Sequence, residues 1–246
     1  MSVDQAKELS DDRLFAGRLS CLQHRDGYRF SVDAVLLANF IVPNVGDCVL
    51  DLGAGCGVVS LVLCFRHSGL FHTALEIQPA LAALCRSNAF SNGYNERLRV
   101  VEGDWRAIAD LLPAGAFDWV VANPPYRKNE SGRQNLDQEQ AIARHEIMAD
   151  LAATVRAAHY ALRTRGRAAF VYPAGRAATL CMELVAHGLA PKRMQVVYSY
   201  PGSNAKLVLV EAVKAGGEEL TILPPFFIYN AATGVYTPEM ARLYEP

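Results

Sequence analysis

CVLDLGAGCG, residues 48–57, is the stretch that decides the fold. CVLDL is a short apolar run bounded by turn residues, which predicts a buried strand. Gly53, Gly55 and Gly57 follow, and the apolar sequence VVSLVLCFRHS behind them predicts a helix. Glycines between a strand and a helix permit a tight turn and a close approach of the backbone to a ligand. The stretch therefore predicts a strand, a ligand-binding loop and a helix of an α/β fold.

The segments on either side of this stretch continue the alternation of strands and helices. Helices are predicted over 31–42, 79–91, 145–163 and 175–187, and further strands in FHTALEI, RLRVVEGD, AFDWVVAN and RAAFVYP. This alternation predicts a mostly parallel sheet with helices on both faces. MQVVYSY and KLVLVEAV are separated by a short turn, which predicts a C-terminal antiparallel hairpin. We predict one domain over residues 21–246, behind a polar and loosely ordered segment, 1–20.

Composition excludes some classes of protein and leaves others open. The chain has 246 residues, of which 51% are hydrophobic, and this is too many for a disordered chain. Lys and Arg number 24 and Asp and Glu 25, so net charge does not argue for nucleic acid, although a local basic patch would suffice. The six cysteines form no C-x-x-C pair, and we predict no metal site. The N-terminus does not resemble a signal peptide and no apolar run could span a membrane, so we expect a cytoplasmic protein with reduced thiols.

Acidic residues stand at the ends of three consecutive predicted strands. Asp51 precedes the glycines, Glu76 ends the second strand, and Asp104 follows the third. Each acid alone is explained as a helix cap. Together, beside a glycine loop, they suit a ligand with an ammonium or sulfonium group, ribose hydroxyls and an adenine, near which Trp105 would lie. The spacing D-x-G-x-G-x-G differs from the G-x-G-x-x-G of dinucleotide sites, so we predict S-adenosylmethionine and not NAD.

NPPY, residues 123–126, follows the fourth predicted strand. The Asn123 side-chain oxygen and the Pro124 carbonyl are two acceptors, which match the two hydrogens of an exocyclic amino group. Pro124 and Pro125 make the backbone rigid, and Tyr126 offers a flat ring for stacking. The alternative for NPPY alone is a rigid turn after a buried strand. With the glycine loop upstream, the pattern predicts methyl transfer to an amine nitrogen.

DLGAGCG and NPPY together resemble the motifs of class I S-adenosylmethionine-dependent amino-methyltransferases. QHRDGYRFSVDAVLLANF (23–40), AIARHEIMADL (141–151), the segment 191–217 and the tail PPFFIYNAATGVYTPE are similar to bacterial tRNA1(Val) adenine-37 N6-methyltransferases. The likeness covers nearly all of the chain after residue 20.

The resemblance implies a Rossmann-like sheet of seven strands in a monomer or homodimer, without an obligate protein partner. It also implies that the enzyme methylates the adenine next to the tRNA anticodon. Carried over by position, the cofactor-binding residues are Asp51, Gly53, Gly55, Glu76 and Asp104, with Ser31 and Asp33 at the methionine end. The residues implied for the target amine are Asn123, Pro124, Pro125 and Tyr126.

Basic residues near NPPY allow two interpretations. They are phosphate contacts for a tRNA loop, or part of a solvated loop with acidic neighbours. The set comprises Arg127, Lys128, Arg133, Arg144 and His145, with Lys192, Arg193 and Lys206 as an extension. His24, His67 and His187 are expected to be structural or exposed.

Other acceptors remain open because they also present an –NH₂ group. They are guanine N2 in ribosomal RNA, adenine N6 in DNA, and a protein glutamine amide. The last class usually carries an N-terminal helical domain, for which we expect no room before Asp47. A binding module without catalysis is a further alternative, but Asp51, Asn123, Pro124 and Tyr126 argue against it.

Overall fold

A mixed β-sheet with helices packed on it organises the chain. The computed structural model describes residues 8–25, 32–124 and 150–246. The strands are β1 (Leu9–Leu14), β2 (Leu19–His24), β3 (Cys48–Leu52), β4 (Phe71–Glu76), β5 (Leu98–Glu102), β6 (Phe117–Ala122), β7 (Leu162–Pro173), β8 (Leu189–Tyr198), β9 (Ala205–Lys214), β10 (Thr221–Ile222) and β11 (Phe226–Phe227). The helices are α1 (Val32–Phe40), α2 (Val58–Arg66), α3 (Pro79–Ser91), α4 (150–161), α5 (Ala177–Ala186) and α6 (Pro238–Arg242). Among these described helices, none combines the length and the hydropathy that crossing a membrane requires.

The main sheet has the strand order β10-β8-β9-β7-β6-β3-β4-β5, and β11 also pairs with β8. Strands β3 to β7 are parallel, whereas β9 lies between β7 and β8 and is antiparallel to both. The two-residue strands β10 and β11 extend the β8 edge, beyond the seven longer strands. The predicted Rossmann-like sheet with a C-terminal antiparallel hairpin is confirmed. The hairpin is β8–β9.

The central strands are apolar at most positions because helices cover both faces of the sheet. Successive side chains of a strand point to opposite faces. Val49 and Val121 accordingly pack in the core formed with α1, α2 and α3, whereas Leu50 and Val120 pack in the core formed with α4 and α5. The sequence expectation of helices on both faces is thereby confirmed.

Strands β1 and β2 form a separate antiparallel hairpin. Phe15 at its turn and Leu19 are buried, and the Phe15 ring stacks on Phe65 of α2 with centroids 4.3 Å apart. Within the segment 1–20, for which loose order was predicted, the described residues 9–20 are thus ordered. Strand β1, LSDDRL, does not show the alternation of apolar and polar residues that marks a half-buried strand.

Asn88 of α3 and Asn92, which caps the end of α3, hold the backbone of β2. The Asn88 amide accepts from Leu22 N at 2.8 Å and donates to Leu22 O at 2.9 Å. Asn92 makes the same pair of contacts with Ser20 N and O, at 3.0 and 2.7 Å. Asn88 Nδ2 also donates to the Cys56 carbonyl at 2.9 Å. The hairpin is therefore tied both to α3 and to the glycine loop.

A buried carboxylate lies between two arginines in the antiparallel part of the sheet. Glu211 of β9 is fully buried and pairs with Arg167 of β7 and, at 3.4 Å, with Arg193 of β8. Arg193 also donates to the Phe40 carbonyl at 2.6 Å. Its guanidinium is thus engaged inside the protein, which corrects the expectation that Arg193 extends a phosphate-binding patch.

Candidate active site

A cleft opens at the carboxyl ends of β3 and β6, where open α/β sheets bind their ligands. It has an empty volume of about 540 Å³, including space open to solvent. Four residues predicted from the sequence line it, namely Asp51, Gly53, Gly55 and Asn123. The structure thus places the predicted cofactor motif and the predicted amine motif in one cleft.

The glycine loop, residues 53–57, turns through the left-handed region of backbone space. Gly53, Gly55 and Gly57 have φ values of 73°, 59° and 90°, which only glycine adopts without strain. A Cβ on Gly57 would lie 2.4 Å from the Cys85 Sγ of α3. Gly57 therefore serves both the turn and the close packing of α3 against the start of α2.

The amides of the glycine loop are bonded within the protein. Gly53 N and Ala54 N both donate to Leu75 O, at 2.8 and 3.1 Å. Gly55 N donates to Glu76 Oε2 at 2.8 Å, and Gly57 N donates to Ala54 O at 2.9 Å. These four amides are therefore occupied within the protein, because the loop uses them to bind β4 and itself.

Glu76 is a buried acid at the end of β4. Its Oε1 accepts from Gln78 N and its Oε2 from Gly55 N, both at 2.8 Å. A carboxylate oxygen can accept more than one hydrogen bond, so the group retains capacity for ligand hydroxyls. Through Gly55 it also sets the position of the glycine loop.

Asp51 is buried at the wall of the cleft, with 2% of its surface exposed. Burial raises the pKa of Asp51 to about 7, and the nearby Glu76 carboxylate adds to the rise, while hydrogen bonds from Ser60 oppose it. The Ser60 hydroxyl donates to Asp51 Oδ2 at 2.9 Å. A buried carboxyl with a raised pKa favours a cationic ligand, because the ligand charge compensates the buried anion.

Asn123 follows β6 directly, beside the end of β3. Its Oδ1 is buried and accepts no hydrogen bond from the residues that the structure describes. Such an atom in a protein interior costs on the order of 1–3 kcal/mol, and a ligand N–H would recover that cost. Pro124 is also buried. The amide oxygen of Asn123 is therefore available to an amine in the cleft.

Asp104 and Trp105 lie apart from the residues lining the cleft. Asp104 caps the 3₁₀ turn Trp105–Asp110 by accepting from Arg106 N at 2.9 Å. The Arg106 side chain also binds Asp104 and holds the pKa of that carboxyl below its usual range. Trp105 is buried, with its ring 3.9 Å from the Cβ position of Gly53. Asp104 thus caps this turn in the structure. Trp105 lies against the glycine loop at Gly53.

The remaining predicted site residues divide into two groups. Asp33 is buried in the first turn of α1, and its neighbour Ala34 lines the cleft. The predictions for Ser31, Pro125 and Tyr126 fall outside the described residues, as do those for the basic residues from Arg127 to His145.

The cleft contains two residues of β2 that the sequence reasoning did not assign to the site, Gln23 and His24. We expected His24 to be structural or exposed. The signal that could have found them is their position at the start of QHRDGYRFSVDAVLLANF, one of the segments that carries the family resemblance.

A family model described as the methyltransferase small domain matches residues 30–171, which is more than half of the chain. The chain belongs to the methyltransferase small domain family. It is accordingly a methyltransferase. The cleft lined by Asp51 and Asn123 is its candidate active site.

The similarity to curated relatives extends beyond the residues that the family model matches. A tRNA1(Val) (adenine(37)-N6)-methyltransferase of Porphyromonas gingivalis strain W83 is 30% identical over 227 residues, covering 89% of this chain and 88% of the relative. A protein of the same name from Shewanella amazonensis is 32% identical over 190 residues, covering 77% and 79%.

Solved structures support the fold of this methyltransferase. A structure described as a predicted O-methyltransferase from Agrobacterium tumefaciens superposes with a TM-score of 0.72 at 21% identity, covering 86% of this chain and 95% of the other. TrmN from Thermus thermophilus superposes with a TM-score of 0.56 at 19% identity, covering 74% and 48%. At these identities the likeness concerns the fold alone.

Proposed function

We propose that this methyltransferase transfers a methyl group from S-adenosylmethionine to the exocyclic N6 of an adenine in tRNA, at position 37 next to the anticodon. The reaction takes place in the cytoplasm, and the enzyme acts as a monomer or homodimer. One observation carries the chemistry: the buried Asn123 Oδ1 has no hydrogen-bond partner among the described residues, and Asn123 lines the same cleft as Asp51. The names of the curated relatives support the choice of tRNA and of adenine.

The residues of the cleft fit this cofactor. S-adenosylmethionine, when bound, supplies an electrophilic methyl carbon on a positively charged sulfur. Asp51 holds the ammonium group of its amino-acid end, because ionisation of this buried carboxyl is favoured by an adjacent cation. Glu76 accepts from the ribose hydroxyls with its remaining lone pairs. Gly53 and Gly55 let the backbone lie against the ligand.

The target amine is held by acceptors at the end of β6. Asn123 Oδ1 accepts one N–H of the amino group, and the Pro124 carbonyl accepts the other. Both hydrogens are then engaged, and the nitrogen lone pair remains available for attack. Tyr126 stacks on the adenine ring. Rate enhancement comes from positioning and not from a strong base, because the amine loses its proton after the new bond has formed.

The test is methyl transfer from labelled S-adenosylmethionine to total tRNA that lacks the modification, followed by nucleoside analysis. We expect N6-methyladenosine in one tRNA species. Asn123→Ala should lower turnover by roughly 100-fold or more, as the loss of a transition-state hydrogen bond does, and leave the affinity for S-adenosylhomocysteine nearly unchanged. Equal losses in turnover and affinity would sink the role of Asn123.

The acceptor is tested separately from the chemistry. If the cofactor binds and tRNA receives no methyl group, the tRNA proposal is wrong. The same assay is then repeated with ribosomal RNA, DNA and protein amides, each of which presents an –NH₂ group. If S-adenosylhomocysteine does not bind at all, the cofactor site itself is refuted.

A further inference from the structure

His24 is a polar side chain of the cleft that the mechanism above does not use. It ends β2, where it pairs with Leu9, and its ring lines the cleft together with Asp51 and Asn123. Its Nδ1 is buried and has no hydrogen-bond partner. Across the described part of the chain, neither ring nitrogen is bonded to another group. An imidazole held in this way has hydrogen-bonding capacity that the protein alone does not satisfy.

Several other donors of the cleft are engaged within the protein. The amides of Gly53, Ala54 and Gly55 bind Leu75 O and Glu76, as described above. The Gln23 amide donates to the Asp12 carboxylate in the hairpin. Among the described residues that line the cleft, His24 and Asn123 therefore retain side-chain N–H groups for a ligand, and Asn123 serves the target amine in our proposal.

The charge of the proposed cofactor requires such a donor. Its amino-acid end carries an ammonium group and a carboxylate on the same carbon. Asp51 and Glu76 match the cation and the hydroxyls, but both carboxylates are buried and repel a third one. A carboxylate buried without a donor is costly, and a hydrogen bond from an N–H offsets that cost.

We propose that His24 donates a hydrogen bond to the carboxylate of the amino-acid end and so selects ligands in which that carboxylate is intact. The inference rests on the proposed cofactor and deepens it. His24 acts as a specificity residue for the cofactor and takes no part in the transfer of the methyl group. The β1–β2 hairpin then becomes part of the active site through its last residue.

Calorimetric titration with two ligands tests the proposal. S-adenosylhomocysteine has the carboxylate, whereas its decarboxylated analogue, S-adenosyl-3-thiopropylamine, keeps the ammonium group and lacks the carboxylate. His24→Leu should weaken binding of S-adenosylhomocysteine by roughly 10- to 100-fold, as expected for a hydrogen bond to a charged group. The same variant should bind the analogue with unchanged affinity. His24→Gln retains a side-chain N–H and should recover much of the affinity for S-adenosylhomocysteine.

Three outcomes would contradict the proposal. Equal weakening of both ligands by His24→Leu would show that the ring only shapes the cleft. Unchanged binding of both ligands would show that His24 makes no contact with the cofactor. Weakening of the analogue alone would place His24 away from the carboxylate. If the wild-type protein fails to bind S-adenosylhomocysteine, the proposed cofactor itself is refuted. Thermal melting of each variant separates loss of binding from loss of folding.

Discussion

Replacement of Asp51 by Asn is expected to stabilise the ligand-free protein above neutral pH and to weaken cofactor binding. The carboxyl is buried, and its pKa lies near 7 in place of the usual 3.8. The folded state therefore binds a proton at Asp51 that the unfolded chain has already lost between these two values. Asparagine has nearly the same shape, can still accept from Ser60, and carries no charge.

The size of the change in stability follows from the shift in the pKa of Asp51. Each pH unit between the unfolded and folded pKa values costs the folded wild type about 1.4 kcal/mol. Stability contributed by Asp51 falls as pH rises from about 4 to about 7, by about 4 kcal/mol in all, and is constant above that. Between about pH 5 and about pH 8, the difference in unfolding free energy between Asp51→Asn and wild type should grow by about 3 kcal/mol in favour of the variant.

Urea denaturation of both proteins at these two pH values measures this difference. Asp110→Asn removes an exposed acid and is the control, for which no comparable growth is expected. A difference that stays constant between the two pH values would refute the argument that burial keeps Asp51 protonated.

Cofactor affinity provides the second half of the test. A ligand cation beside Asp51 requires the ionised carboxylate, so wild-type affinity for S-adenosylhomocysteine should fall up to about tenfold per pH unit below about pH 7. Asp51→Asn should bind weakly and show no such dependence. If the variant binds as tightly as wild type, Asp51 does not contact the ammonium group.

Three further predictions concern the framework of the site. Asn88→Ala should cost about 2–3 kcal/mol of stability and weaken S-adenosylhomocysteine binding, because Asn88 also holds the glycine loop. Asn92 bonds to the hairpin and to Asn88 O but not to the glycine loop, so Asn92→Ala should lower stability only. Equal effects of the two variants on affinity would disprove this coupling. Glu211→Ala should lower the free energy of unfolding, measured by urea denaturation, by about 3 kcal/mol, because it leaves two arginines without their buried partner. A loss below about 1 kcal/mol would contradict this prediction. Gly57→Ala should lower the melting temperature more than Gly46→Ala, which has a similar φ of 91° but nothing within 4 Å of the new Cβ; similar shifts would mean that backbone strain outweighs the contact with α3.

The sequence predicted the features of the site that depend on short-range spacing. The run CVLDL and the glycines after it define a buried strand and a turn, since few other structures accommodate that pattern. AFDWVVAN places Asn123 at the end of a strand for the same reason. Because the carboxyl ends of parallel strands meet at one edge, the meeting of Asp51 with Asn123 followed from these two patterns.

Features that depend on particular partners were not predictable in this way. Arg106, only two residues away, binds the Asp104 carboxylate with its guanidinium, and its backbone N–H donates to the same carboxylate, which caps the turn. The role of Asp104 towards adenine stays a prediction. His24 was set aside because a single histidine in a polar segment has no periodicity that indicates burial. Its place in the cleft depends on the pairing of β2 with β1 and on two asparagines distant in sequence, Asn88 in α3 and Asn92 at its end.

The insertion of β9 between β7 and β8 has a consequence for synthesis on the ribosome. When β7 has left the ribosome, its outer edge has no neighbour, although Phe170, Val171 and Tyr172 in it become fully buried later. The partner of that edge is β9, which emerges only after β8. An open edge with apolar side chains invites pairing with other chains. The nascent chain is therefore open to such pairing in the interval between these two strands, and a stall before Ala205 is expected to prolong that exposure.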